Sequence, residues 1–159
     1  MNIMANGNID ESASLPEYLA SVEAEDEEIT PETAARLDRA RASNEISHDD
    51  ILREFGLKKL SSEEPQRIGV TWTLQGQADL RTIDRETAIG ILHCLDRFLK
   101  NREGDVKTLK PPRKEFRLRC GDHRLFFDFV VYETRDGRVS IKTMSIRITA
   151  VLHRRAAYR

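Results

Sequence analysis

Charge is segregated along this chain of 159 residues, and the segregation limits where a core can form. Residues 1–66 hold 16 acidic and 6 basic side chains, a net of −10, while residues 67–159 hold 11 acidic and 20 basic ones, a net of +9. The whole-chain charge of −1 hides this division. Hydrophobic residues are 39 % of the chain, and the large ones concentrate after residue 67. The basic half is therefore expected to supply the core. An acidic module ahead of a basic one suggests that the back half binds a polyanion and that the front half binds the back half.

Several classes are disfavoured at once. No apolar run approaches the ~20 residues of a membrane span, and the stretch Met1–Asn6 lacks the basic start and apolar centre of a secretory signal. A cytoplasmic protein is expected. Cys94 and Cys120 have no metal-ligand spacing and read as reduced, small buried hydrophobes. The first 30 residues are acidic and poor in large apolar side chains. Residues 1–29 therefore read as disordered until something orders them.

Thr30-Pro31-Glu32 opens a helix with a capping hydroxyl, proline at the first helical position and an acid in the first turn. It runs through Leu37 to about Ser43 with a thin, alanine-rich apolar face. Ser47 caps a second helix through Phe55, and Gly56 stops it. Too few large apolar residues are present to close a core here. Leu37, Ile51, Leu52, Phe55 and Leu57 are instead expected to lie on another surface. Residues 58–66 are polar, contain Pro65 and read as a linker, leaving residues 67–159 as the second domain.

In that domain Ile68–Thr73 alternates as a strand does. Ala78, Leu80 and Ile83 suggest a short helix. Asp84 caps an amphipathic helix over residues 85–101, with Ala88, Ile91, Leu92, Leu95, Phe98 and Leu99 at three- and four-residue steps. Residues 101–113 read as a loop. Glu115–Cys120, His123–Glu133 and Arg138–Val151 read as strands joined at Gly121-Asp122 and Arg135-Asp136-Gly137. A slip of apolar phase between Ile141 and Met144 predicts a bulge or crossover. The expected class is α+β: one antiparallel sheet in the order β-α-α-β-β-β, with a helical pair on one face, preceded by a helical arm.

Four stretches carry a family resemblance. They are Trp72-Thr73 with Ala78-Asp79-Leu80, then Gly104–Lys110, then Phe116-Arg117-Leu118-Arg119-Cys120-Gly121-Asp122-His123-Arg124, and the tail His153–Arg159. Together they resemble the RelE/ParE superfamily of bacterial toxins, whose topology is β-α-α-β-β-β. The arm, ending in Phe55-Gly56-Leu57, resembles the toxin-wrapping part of a small antitoxin. No basic headpiece for DNA precedes it, which argues against transcriptional autoregulation.

The RelE resemblance implies an endoribonuclease that cuts mRNA in the ribosomal decoding site without a metal or cofactor. Its partners would be the ribosome, mRNA and the chain's own antitoxin segment, with a homodimer left open. Such chemistry needs a group to take the 2′-OH proton, cations to stabilise the phosphorane, and a group to protonate or shield the leaving oxygen. Residues matching the family's catalytic positions are Arg117, Arg119, Arg124, Arg154 and Tyr158. Candidates for RNA contact are Lys107, Lys110, Arg113, Lys114, His153 and Arg155. Arg117 and Arg119 share a strand face, and a guanidinium grips two phosphate oxygens at once. Tyr158 would need its pKa lowered by cations such as Arg154. Each arginine has a plainer reading as a solvated or structural side chain, and Arg124 could pair with Asp122 or Asp128.

The chain departs from the family in lacking a lysine on the central strand. Arginine does not deprotonate, so proton transfer would fall to Tyr158, His153, His123, Lys110 or Lys114. This leaves open a catalytically degenerate fusion. A ParE-like inhibitor of DNA gyrase, acting without catalysis, is the other alternative.

Overall fold

The structure, a computed structural model, describes residues 15–57 and 68–158. The expected linker therefore lies outside the described residues, as does the first part of the segment read as disordered. Within the described residues the fold is α+β. Six helices, α1 (Leu15–Ser21), α2 (Pro31–Arg41), α3 (His48–Glu54), α4 (Leu74–Thr82), α5 (Arg85–Asn101) and α6 (Arg154–Ala157), surround a six-stranded sheet. The strands are β1 (Glu45–Ser47), β2 (Ile68–Thr73), β3 (Asp105–Thr108), β4 (Phe116–Cys120), β5 (His123–Asp136) and β6 (Val139–His153), in the order β1-β2-β6-β5-β4-β3. None of the described helices is long and apolar enough to cross a membrane.

The helix starts follow from their caps. Thr30, Ser47 and Asp84 accept from the amides of Thr33, Asp50 and Thr87 at 3.0, 3.1 and 3.0 Å, each satisfying a donor with no partner in the helix. The stripe Ala88, Ile91, Leu92, Leu95 and Phe98 is buried along α5. It packs on one sheet face with Trp72, Leu118, Leu125, Phe127, Ile146 and Ile148.

Four expectations are corrected. The sheet is mixed, because β2 runs parallel to β6; the chain between them, α4 through β5, makes the crossover that parallel neighbours need. A four-residue strand, β3, occupies part of the expected loop, pairing Val106 with Leu118 and Lys107 with Arg117. The register of β5 and β6 is unbroken where the bulge was predicted. The extra residue is Thr149, between the pairs Phe126–Ala150 and Phe127–Ile148. It reverses the facing of β6, so Ile148 joins the α5 side while Ala150 joins Phe126 on the other. Residues 15–29 are ordered by the rest of the chain, with Leu15 and Leu19 of α1 buried beside Phe98 in the same cluster.

Both faces carry helices, α5 on one and α2 of the arm on the other. The arm starts with α1 on the α5 side and passes the β3 edge, where the Glu25 amide donates to Thr108 O at 2.7 Å and the Thr108 amide donates to Glu23 O at 3.0 Å. It then crosses the opposite face, where Leu37 of α2 packs with Leu109, Phe126, Ala150, Ala157 and Tyr158. Next β1 pairs antiparallel with β2 at the other edge. Finally α3 returns to the α5 side and buries Ile51, Leu52 and Phe55, with Leu57 packed against them. The arm thus loops around the sheet. Burying six large side chains at roughly 1.5–3 kcal/mol each gives on the order of 10 kcal/mol, so apolar packing dominates its attachment.

Candidate functional site

Cross-strand partners share a sheet face, so the register places Lys107, Arg117 and Phe126 in one row and Asp105, Arg119 and Arg124 in the next. This is the face that α2 covers. Arg117 is 4 % exposed, and its partner comes from the arm: Nε donates to Glu25 Oε2 at 2.6 Å. The same Glu25 oxygen accepts from the Tyr158 hydroxyl at 3.0 Å. Asp105 fixes the other side of the guanidinium, with its carbonyl 2.6 Å and its Oδ1 3.3 Å from Arg117 Nη1. Backbone pairing holds Glu25 there, through Thr108 on one side and through Thr30 N to Ala157 O at 3.0 Å on the other.

Burial alone would raise the Glu25 carboxyl. The Arg117 bond and charge, the Tyr158 hydroxyl and the Lys107 charge outweigh it and hold the group below the ordinary carboxylate range. Tyr158 moves the other way. Burial raises it first, and the Glu25 charge and hydrogen bond add to that, overcoming Arg117 and Arg124. A single carboxylate therefore occupies the buried guanidinium and suppresses ionisation of the neighbouring phenol.

The predicted residues do not all converge. Arg117, Tyr158 and the half-buried Lys107 form the cluster around Glu25. Arg119 shares the face but is exposed. Arg124 is buried beside it, and its Nη1 donates to the Gly121 and His123 carbonyls at 3.0 and 3.1 Å rather than to Asp122 or Asp128; Arg147 takes Asp128. Arg154 and Arg155 are exposed on α6, and Arg154 is not what sets the Tyr158 ionisation. His153 accepts from the Arg155 amide at 3.1 Å, capping α6, and meets His123 edge-on at 5.3 Å between ring centres. Arg113 is held by Glu115 and Asp38 at 2.6 and 2.8 Å, while Lys110 and Lys114 are exposed.

Further ion pairs join the two halves of opposite charge. Arm acids Asp38, Glu45 and Glu54 meet Arg113, Arg147 and Arg81 at 2.8, 3.3 and 2.7 Å. In the reverse sense, arm residues Arg36 and Arg41 meet Asp79 and Glu115, both of which are buried. Asp79 also accepts from the Val151 amide at 3.0 Å, tying α4 to β6. Among the described residues, no group of three or more His, Cys, Asp or Glu is placed to hold a metal ion.

The residue that sequence reasoning missed is Glu25. One acid in an acidic segment carries no local mark; only the pairing of Ala24 with Thr108 selects it. The chain matches no protein-family model, no curated protein and no solved structure.

Proposed function

We propose that residues 68–158 form a RelE-like toxin domain, a metal-independent endoribonuclease that cuts mRNA on the ribosome, and that residues 15–57 hold it inactive in cis as an antitoxin-like segment. The observation that carries this reading is the Glu25 carboxylate seated between Arg117 and Tyr158. Carboxylate and phosphate present similar acceptor pairs to a guanidinium. A pocket that accepts Glu25 suits a phosphodiester oxygen once the arm leaves.

In the open state Arg117, oriented by Asp105, would stabilise the negative charge that develops at phosphorus. Tyr158, relieved of Glu25, would be the group for proton transfer or base stacking. The lysine absent from the central strand has a counterpart in Lys107, which lies opposite Arg117 on the neighbouring strand. The exposed cations Arg119, Lys110, Lys114, Arg154 and Arg155 would contact the RNA backbone, making binding strongly salt-dependent.

The test is primer extension on mRNA translated in a purified system, comparing the full chain with its Glu25→Lys/Leu37→Asp variant, which expels the carboxylate and lifts α2. Cleavage by the variant, lost on adding Arg117→Ala or Tyr158→Phe, supports the proposal. Intact mRNA accompanied by trapped gyrase–DNA complexes overturns it in favour of a ParE-like inhibitor. Intact mRNA with neither activity, from a folded variant, identifies a degenerate fusion.

A further inference from the structure

A second group of reactive side chains lies on the opposite sheet face, away from Glu25, and the function above makes no use of it. The chain's two cysteines, 26 residues apart, meet there: Cys120 at the end of β4 and Cys94 on α5. Cys120 Sγ and Cys94 Sγ are directly apposed, 2.6 Å apart, and Cys94 in turn lies 3.5 Å from the Arg119 carbonyl oxygen, which can accept its hydrogen. Both line a cleft of about 680 Å³, together with Arg97, Arg119, His123 and His153. Cys94 is half-buried, so small solutes can reach it, whereas Cys120 is buried behind it. The sequence contains no third cysteine to compete by exchange.

We propose that Cys94 and Cys120 are a two-electron oxidation site for hydroperoxides, closing to an intramolecular disulfide that ties α5 to the end of β4. With hydrogen peroxide, the Cys94 thiolate attacks one oxygen, the O–O bond breaks, and Cys94 becomes a sulfenic acid while hydroxide leaves; an alkyl hydroperoxide loses alkoxide at this step instead. Cys120 sulfur then attacks the Cys94 sulfur, the S–O bond breaks, and a second hydroxide leaves. The two thiol protons convert both hydroxides to water. The net change is two thiols and one hydroperoxide group giving one disulfide and two oxygen products at the water or alcohol level.

The division of labour follows from the surroundings. The hydrogen bond with Cys120 is the main influence holding Cys94 below the ordinary thiol range; burial opposes it and the Arg97 charge adds to it. The same bond and burial push Cys120 up. Access decides which thiol a peroxide meets first, and it favours Cys94.

The experiment uses the full folded chain, reduced with dithiothreitol, exposed to hydrogen peroxide, then denatured with iodoacetamide and weighed intact. The expected product is lighter than the reduced protein by two hydrogen atoms, takes up no alkyl group, runs as a monomer on a non-reducing gel and reverts with dithiothreitol. The Cys120→Ser variant is expected to stop at a dimedone-reactive sulfenic acid, and Cys94→Ser to react at least tenfold more slowly. Full alkylation of both thiols after peroxide treatment would overturn the proposal. So would oxidation only to intermolecular dimers, or equal rates in the two serine variants.

Discussion

Replacing Glu25 by glutamine changes one charge and almost no volume, which isolates the electrostatic link between the arm and Arg117. Removing one partner of a buried ion pair costs about 3–5 kcal/mol because the other charge stays buried without compensation. Here the amide oxygen can still accept from Arg117 and Tyr158, and Asp105 Oδ1 remains 3.3 Å from Arg117 Nη1, so the expected cost is about 2–3 kcal/mol. At 1.4 kcal/mol per tenfold, the equilibrium for local opening of residues 22–30 should rise by about 30- to 150-fold. Native-state hydrogen exchange reads this directly at the amides of Glu25, Thr30 and Thr108, whose acceptors all lie across the arm–domain seam. Amides of α3 should be unaffected, because Ile51, Leu52 and Phe55 hold that helix independently of the pair. An increase below about threefold at the three seam amides would refute the assignment of Glu25 as the electrostatic lock. An equal increase in α3 would refute the idea that the lock is local.

Other perturbations test neighbouring parts of the argument. In the Glu25→Gln protein the Tyr158 ionisation should fall toward the ordinary tyrosine range, since the carboxylate is lost while Arg117 and Arg124 remain; ultraviolet titration against a Tyr158→Phe reference checks it. Ile51→Ala empties a fully buried site in the core shared by arm and domain, so urea unfolding should show one transition weakened by about 2–5 kcal/mol. His48 is buried, accepts from Trp72 Nε1 at 3.0 Å and has its pKa lowered to about 4, chiefly by burial. A depressed native pKa contributes stability that is full above the unfolded value near ~6.5 and is lost as pH falls toward the native one, a change of about 3 kcal/mol. Denaturation midpoints should fall between pH 6.5 and 4.5, and His48→Gln should reduce that slope without abolishing it, since His123 is shifted in the same direction. Gly104→Ala should destabilise by about 1–3 kcal/mol, because its φ is +131° and a Cβ there would lie 2.8 Å from Leu118 Cδ1; thermal melting measures it.

How much of this was legible beforehand depended on the range of the interaction responsible. The span of α5 was readable because its stripe, the Asp84 cap and the end at Asn101 all lie within 18 residues. The caps at Thr30 and Ser47 were equally local. The strand β1 was not, since three residues show no alternation and its partner β2 lies 26 residues on, as the Thr71–Glu45 bond marks. Helix α1 was hidden because its apolar residues are buried in a core built mostly by the distant domain. The phase change of β6 was visible in its sequence, yet its place at Thr149 depends on which residues of β5 stand opposite. At the candidate site, Arg117 and Tyr158 were identifiable by type and position. That Arg117 is sealed follows from Glu25, 92 residues away, and Tyr158 is raised first by its burial and then by the same Glu25, 133 residues away.

That separation also fixes an order of events during synthesis. A ribosome moving along this message makes Glu25 well before Arg117, and Arg117 before Tyr158. The carboxylate is already present, in a ratio of one to one, when the groups it masks emerge. A partner encoded separately would depend on relative expression and on finding its site by diffusion, whereas here Glu25 meets Arg117 and Tyr158 with neither shortage nor delay.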